Sequence, residues 1–208
     1  QERFGDLNDL LLVFVGDFEL EQLKALAQRY LGNLPVRGRK ESWKDLGLDI
    51  TPGHIDSTSR GGIAPKTLVE YTWHGGFENT SQERYHFSSM VSALQIRLRE
   101  VLREQESGIY SLSFNGNVEH HPLPVYRITL GFNTDPERDE ELMQKAVQVI
   151  ADFCAKGPDV VLLEKIKSTQ RQNRQKAEQE NSFWLAQLHQ RYKEDWTLEG
   201  LRTERYLE

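Results

Sequence analysis

The apolar positions along the chain change period several times, and each change marks an element. Leu10 to Val15 is an unbroken apolar run closed by Gly16-Asp17. It predicts a buried strand, with Asp17 as the N-cap of the next helix. Leu20, Leu23, Leu26, Ala27 and Tyr30 recur at helical spacing up to Leu31, where Gly32-Asn33-Leu34-Pro35 stops the helix. Residues 36–66 have little periodicity and read as a long connector. From Thr67 to Trp73 the pattern alternates, placing Val69, Tyr71 and Trp73 on one face of a half-buried strand. Thr80 and Glu83 have capping-box spacing. The helix they open presents Phe87, Met90, Val91, Leu94, Leu98 and Val101 on its inner face.

Two strands follow, Ile109 to Val118 and Pro124 to Asn133. The first places Tyr110, Leu112 and Phe114 on one face. The second alternates Tyr126, Ile128, Leu130 and Phe132, and the two pair antiparallel across His120-His121-Pro122. Asp135-Pro136 supplies a cap and a first-turn proline to a helix carrying Leu142, Ala146, Val149, Ile150 and Phe153. Cys154 belongs to that apolar stripe as a small buried hydrophobe. Gly157-Pro158 breaks the helix, and two more helical segments follow, at about 159–180 and 182–194. The order β-α-loop-β-α-β-β-α-α-α predicts an α+β fold: a two-layer sandwich with a mixed, largely antiparallel sheet and helices on one face.

Composition narrows the function. A length of 208 residues, with 38% apolar and 28% charged, suits a globular domain with a core of its own. Twenty-six basic residues against 32 acidic give a net charge of -6, which disfavours nucleic acid as a partner. No run approaches the roughly 18 apolar residues of a membrane span. Cys154 is the single cysteine, so neither an internal disulfide nor a cysteine metal site can form. The chain opens at Gln1 without a signal peptide and reads as a piece cut from a longer protein.

Self-sufficient chemistry is missing. A zinc-peptidase helix needs two histidines one turn apart and a glutamate base. His54, His74, His86, His120, His121 and His189 form no such set. Glu119-His120-His121 comes nearest, but Gly116 stands where another histidine is required. Adjacent side chains on a strand also point to opposite faces. No Gly-x-Ser-x-Gly elbow and no phosphate cradle occurs, since Arg60-Gly61-Gly62 lacks the strand-turn-helix context. Lys165, Lys167, Arg171, Arg174 and Lys176 read as a solvated helix face.

One segment is more specific. Leu98-Arg99-Glu100-Val101-Leu102-Arg103-Glu104-Gln105-Glu106-Ser107-Gly108-Ile109-Tyr110-Ser111 joins an amphipathic helix end to a strand start. That junction can bring Arg103 and Tyr110 together. A guanidinium beside a phenol can hold a peptide carbonyl or a developing oxyanion. Two structural roles compete: Arg103 can complement the helix C-terminus, and Tyr110 can join Leu112 and Phe114 in the core.

This segment resembles the Arg/Tyr motif of the insulinase, pitrilysin and processing-peptidase family, with Leu102, Arg103, Gly108 and Tyr110 in place. Leu11-Leu12-Val13-Phe14-Val15-Gly16-Asp17, then Tyr30-Leu31-Gly32-Asn33-Leu34-Pro35, is similar to the family's opening strand, helix and turn. Leu163-Glu164-Lys165-Ile166 and Asn181-Ser182-Phe183-Trp184-Leu185 also follow the family order, so the likeness covers nearly the whole chain. The sequence around Trp184 looks most like bacterial envelope members.

The resemblance implies a clamshell of repeated α+β domains. One half carries zinc, which lowers the pKa of a bound water, while a glutamate takes its proton. The other half is zinc-free and supplies the Arg/Tyr pair as the shell closes. On this reading residues 1–208 are one zinc-free domain of a larger peptidase: 1–35 an opening strand and helix, 36–66 a connector, 67–208 the main body. Arg103 and Tyr110 become the substrate-binding residues, with no metal or cofactor held in this chain and zinc held elsewhere in the intact enzyme. The implied partners are the zinc-bearing N-terminal half, in the same protein or a partner subunit, and a peptide substrate. A periplasmic or envelope location follows by the same resemblance. The alternatives are a non-catalytic scaffold of this fold, or a peptide-binding module that uses an exposed strand edge.

Overall fold

A computed structural model describes residues 5–40, 42, 44, 46–47, 51–63, 65–105, 109–199 and 201, excluding the side chains of 103–105. The chain divides into two units, Gln1–Leu48 with Asn173–Arg205, and Asp49–Gln172 with Tyr206–Glu208.

The second unit is built on β1 (Thr67–Gly76), β2 (Ile109–Glu119) and β3 (Val125–Thr134), in the order β1-β3-β2 with every pairing antiparallel. Helices α2 (Ser81–Arg99) and α3 (Asp139–Lys156) supply the core's second layer. Leu94, Leu98, Leu130, Phe132, Leu142 and Ala146 are sealed from solvent together with Phe114. Each such Leu or Phe stabilises the fold by about 1.5–3 kcal/mol relative to exposure. The α+β sandwich expected from the sequence is therefore the fold observed, and the inner faces of α2 and β3 fall where their periodicities place them.

Local chemistry sets the element ends. Thr80 caps α2, its Oγ1 accepting from Glu83 N–H at 3.1 Å, as the capping-box spacing anticipates. Gly116 lies on the inner face of β2 because a Cβ there would stand 2.5 Å from Val91 and 2.7 Å from the Phe87 ring. The α2 layer can close on β2 only over a glycine. Gly157, with φ of 72°, ends α3 in the left-handed region. Helix α4 (Val160–Ala177) starts with Asp159 Oδ1 accepting from Leu162 N–H at 2.8 Å. Its early turns place Leu162 and Ile166 against Ala93.

The first unit contains α1 (Leu20–Leu31) and α5 (Asn181–Lys193). Asp6 holds the entry to this unit, its carboxylate accepting N–H groups of Asn8, Arg37 and Arg39 at 3.1, 2.9 and 2.8 Å. Those hydrogen bonds, led by the one from Arg37, hold the Asp6 carboxyl below its ordinary range. Arg174 departs from the solvated basic helix face expected of it. It bonds Glu178 at 2.6 Å and the Leu201 carbonyl at 2.9 Å, and stacks 4.6 Å over the Phe183 ring. Trp184 donates to the Glu178 carbonyl at 2.8 Å, which fixes the turn into α5.

Four expectations are corrected. Leu10–Val15 lies in no β-ladder among the described residues. An apolar run makes a strand only when a second strand takes its backbone groups. The N-cap of α1 is Glu19 rather than Asp17, and it makes no side-chain cap bond. Asp135-Pro136 does not open α3: Arg138 N–H closes a turn on the Asp135 carbonyl at 3.0 Å, and α3 begins at Asp139. Cys154 is exposed, because the buried stripe of α3 runs through Leu142, Ala146 and Val149 and leaves position 154 to one side.

Candidate substrate-binding site

Helix α2 does not end as an ordinary α-helix. It passes into a π-helical turn over Glu100–Gln105, a form that often marks functional positions. Val101 and Leu102 within the turn are buried and tie it to the core. Arg103 belongs to the same turn, but its side chain lies outside the described residues, as do Glu106, Ser107 and Gly108.

β2 begins with an irregularity that decides the fate of Tyr110. Ile109 pairs with Thr134 and Ser111 with Asn133, so Tyr110 is an extra residue in a β-bulge. Strict alternation would have put it on the face of Leu112 and Phe114. The bulge gives the inward place to Ile109, which is buried, and leaves Tyr110 60% exposed. The core role weighed for Tyr110 is thereby excluded.

Two charged residues meet the exposed ring. Its hydroxyl donates to Asp135 Oδ1 at 2.9 Å, and the Lys66 ammonium stands 5.7 Å from the ring centroid, within cation–π range. The hydrogen bond to Asp135, then that carboxylate's charge, raises the phenol above its ordinary range. Tyr110 is thus held as a neutral proton donor, with an acid at its hydroxyl and a cation near its ring. Sequence reading missed Asp135 and Lys66. The sequence offers Asp135 as a helix cap, and only the β3-to-α3 turn, whose register the sequence does not reveal, turns its carboxylate toward Tyr110.

The histidines are spread over several elements of the chain. Among the described residues no group of three or more His, Cys, Asp or Glu is arranged to hold an ion. His120 and His121 stack with ring centroids 4.3 Å apart instead of pointing to opposite faces, because both lie beyond the end of β2. These donors do not fit a zinc site of the peptidase kind. A separate concavity of about 320 Å³, lined by Arg97, Asp152, Lys156 and Asp159, mixes both signs of charge, and Lys156 already pairs with Asp152 at 3.6 Å. No helix among the described residues is long and apolar enough to cross a membrane.

Comparison with known proteins bears on the fold and the family. The chain is 30% identical over 166 residues to the Haemophilus influenzae protein named probable zinc protease PqqL, and 26% identical over 161 residues to its Escherichia coli namesake. These matches cover 79% and 76% of this chain, yet only 18% and 17% of the relatives, so the chain spans under a fifth of their length. The crystal structure of the periplasmic protease PqqL from Escherichia coli superposes with a TM-score of 0.74 at 22% identity, over 85% of this chain and 19% of that one. A protease from Helicobacter pylori shares the fold with a TM-score of 0.63 at 13% identity, over 93% of this chain and 47% of that one. Residues 3–170 match the family described as the Peptidase M16 inactive domain, and the chain belongs to that family.

Proposed function

We propose that this domain is the zinc-free, substrate-side part of a zinc metalloendopeptidase, and that Arg103 and Tyr110 bind the peptide being cut. Residues 1–208 serve as one domain of the larger enzyme, and the partner is the zinc-bearing half, in the same protein or in another subunit. A periplasmic or envelope location accompanies the reading, since the Escherichia coli relative is described as periplasmic.

The observation that carries the proposal is the β-bulge at Tyr110. It turns a large aromatic out of the core at the start of β2, the strand that follows the helical turn bearing Arg103, in a chain of the Peptidase M16 inactive domain family. Bulges are enriched beside active sites because they re-aim a side chain without breaking the sheet. The phenol keeps its proton through neutral pH, as a hydrogen-bond donor to a carbonyl or oxyanion must. In the free domain that proton is engaged by Asp135. A substrate oxygen takes it by rotation of the hydroxyl, with Asp135 fixing the ring's resting place. A guanidinium at Arg103 adds a fixed positive charge to the same carbonyl.

The test is peptide hydrolysis by the full-length parent, comparing wild type with Arg103→Ala and Tyr110→Phe in zinc and after chelation. Loss of one oxyanion donor lowers kcat by about 10²–10³-fold, with folding retained and activity zinc-dependent. Unchanged kcat in both variants would remove the pair from the active site. A parent inert even with zinc would favour the scaffold reading.

A further inference from the structure

Three residues from three strand ends meet at one end of the sheet. Thr67 of β1, Thr134 of β3 and Ile109 of β2 stand opposite one another in the register. Lys66 precedes the first by one position, Asp135 follows the second by one, and Tyr110 is the bulge residue next to the third. Antiparallel pairing therefore delivers a cation, an acid and a phenol to the same end of the sheet from distant parts of the chain.

This grouping matters because the Tyr110 ring is more than half exposed. An exposed aromatic side chain samples several rotamers unless contacts select one. Asp135 Oδ1 accepts the phenol proton at 2.9 Å, and the Lys66 ammonium stands over the ring, 5.7 Å from its centroid. The two contacts restrict different motions: the first the position of the oxygen, the second the tilt of the ring. The Asp135 carboxylate also keeps the phenol protonated, as a donor must be. The turn that carries Asp135 is closed by its backbone carbonyl, which accepts from Arg138 N–H at 3.0 Å, so the carboxylate is left for Tyr110.

We propose that Asp135 and Lys66 are positioning residues for Tyr110, clamping the exposed ring so that its hydroxyl lies where the carbonyl of a bound peptide meets it. The inference rests on the substrate-binding reading of Tyr110 and extends it to two residues that act through that side chain. When the O–H turns to the substrate oxygen, the bond to Asp135 opens and Lys66 retains the ring. A donor that is already ordered loses no rotamer freedom as the oxyanion forms, so the clamp acts on kcat rather than on KM.

The experiment is steady-state hydrolysis of an internally quenched fluorogenic peptide by the zinc-loaded full-length parent, in single variants and in the Tyr110→Phe background. Asp135→Ala should lower kcat by about 10–10²-fold, the scale of a misplaced group, with KM nearly unchanged. Asp135→Asn keeps an acceptor and should restore most of that loss. Lys66→Met should lower kcat by a smaller factor, and Lys66→Arg, which keeps the cation, should not. In the Tyr110→Phe background none of these changes should lower kcat further, because the hydroxyl they position is gone. Wild-type kcat in both Asp135→Ala and Lys66→Met, beside a Tyr110→Phe variant that has lost activity, would overturn the clamp and leave the substrate-binding reading standing. Losses that persist undiminished in Tyr110→Phe would also overturn the clamp, since they could not run through the hydroxyl. Wild-type kcat in Tyr110→Phe itself would remove the substrate-binding reading and the clamp with it.

Discussion

Two strand-length apolar regions of this chain, each beside an amphipathic helix, reach opposite ends. The β3 strand and helix α2 bury Leu130, Phe132, Leu94 and Leu98 almost completely, whereas Leu10–Val15 and α1, at least as apolar by position, bury nothing fully. The difference lies in what stands opposite. β3 is the central strand, with neighbours on both edges and helices over one face. Leu10–Val15 has neither neighbour among the described residues. Periodicity states what an element could bury. Burial itself is a property of pairs, and the partner can lie far along the sequence.

The largest effects should come from matched truncations in this chain. Phe132→Ala removes a sealed ring from the main cluster and should cost about 3–5 kcal/mol in denaturant unfolding. Leu12→Ala removes an exposed side chain and should stay within about 0.5 kcal/mol. Equal, large losses at both positions in the 208-residue chain would break the comparison.

Glycines give a smaller version of the same contrast. Gly116→Ala pushes a Cβ into Val91 and Phe87 and should cost about 1–3 kcal/mol through overpacking. At Gly16 the nearest neighbour of such a Cβ is Phe18 at 3.7 Å, an ordinary contact. Gly16→Ala should therefore leave the unfolding midpoint nearly unmoved. Caps follow the same order: Thr80→Ala should cost about 1 kcal/mol, while Glu19→Ala, with no cap bond to lose, should cost nothing measurable by thermal unfolding.

What the sequence made legible is what local rules govern. The capping box at Thr80, the alternation of β3, the break at Gly157 and the inner stripe of α2 all depend on residues a few positions apart, and all appear in the structure. Tyr110 was singled out by motif spacing, but its exposure was not legible. The bulge that turns it outward is a register slip between β2 and β3, and register is set across strands. Asp135 and Lys66 were invisible for a related reason. They reach Tyr110 from 25 and 44 positions away, through the sheet and a connector without periodicity.

The Tyr110 hydrogen bond supplies the smallest and most local prediction. Its phenol is raised because the neutral hydroxyl donates to Asp135 and because ionisation would set two negative charges side by side. A raised folded-state pKa means the bond contributes fully at pH values below the ordinary tyrosine range, near 10, and is lost as pH rises through the higher folded value. The ring is exposed, so the effect belongs to titration rather than to global stability. Absorbance titration should find one tyrosine ionising late in wild type, absent from Tyr110→Phe. In Asp135→Asn that residue should return toward the ordinary range, because an amide oxygen still accepts the proton but carries no charge to oppose ionisation. If Asp135→Asn leaves the late tyrosine where it was, Asp135 does not hold the ring. Tyr110 would then be a free surface side chain, closer in kind to the uncovered α1 than to the core beside it.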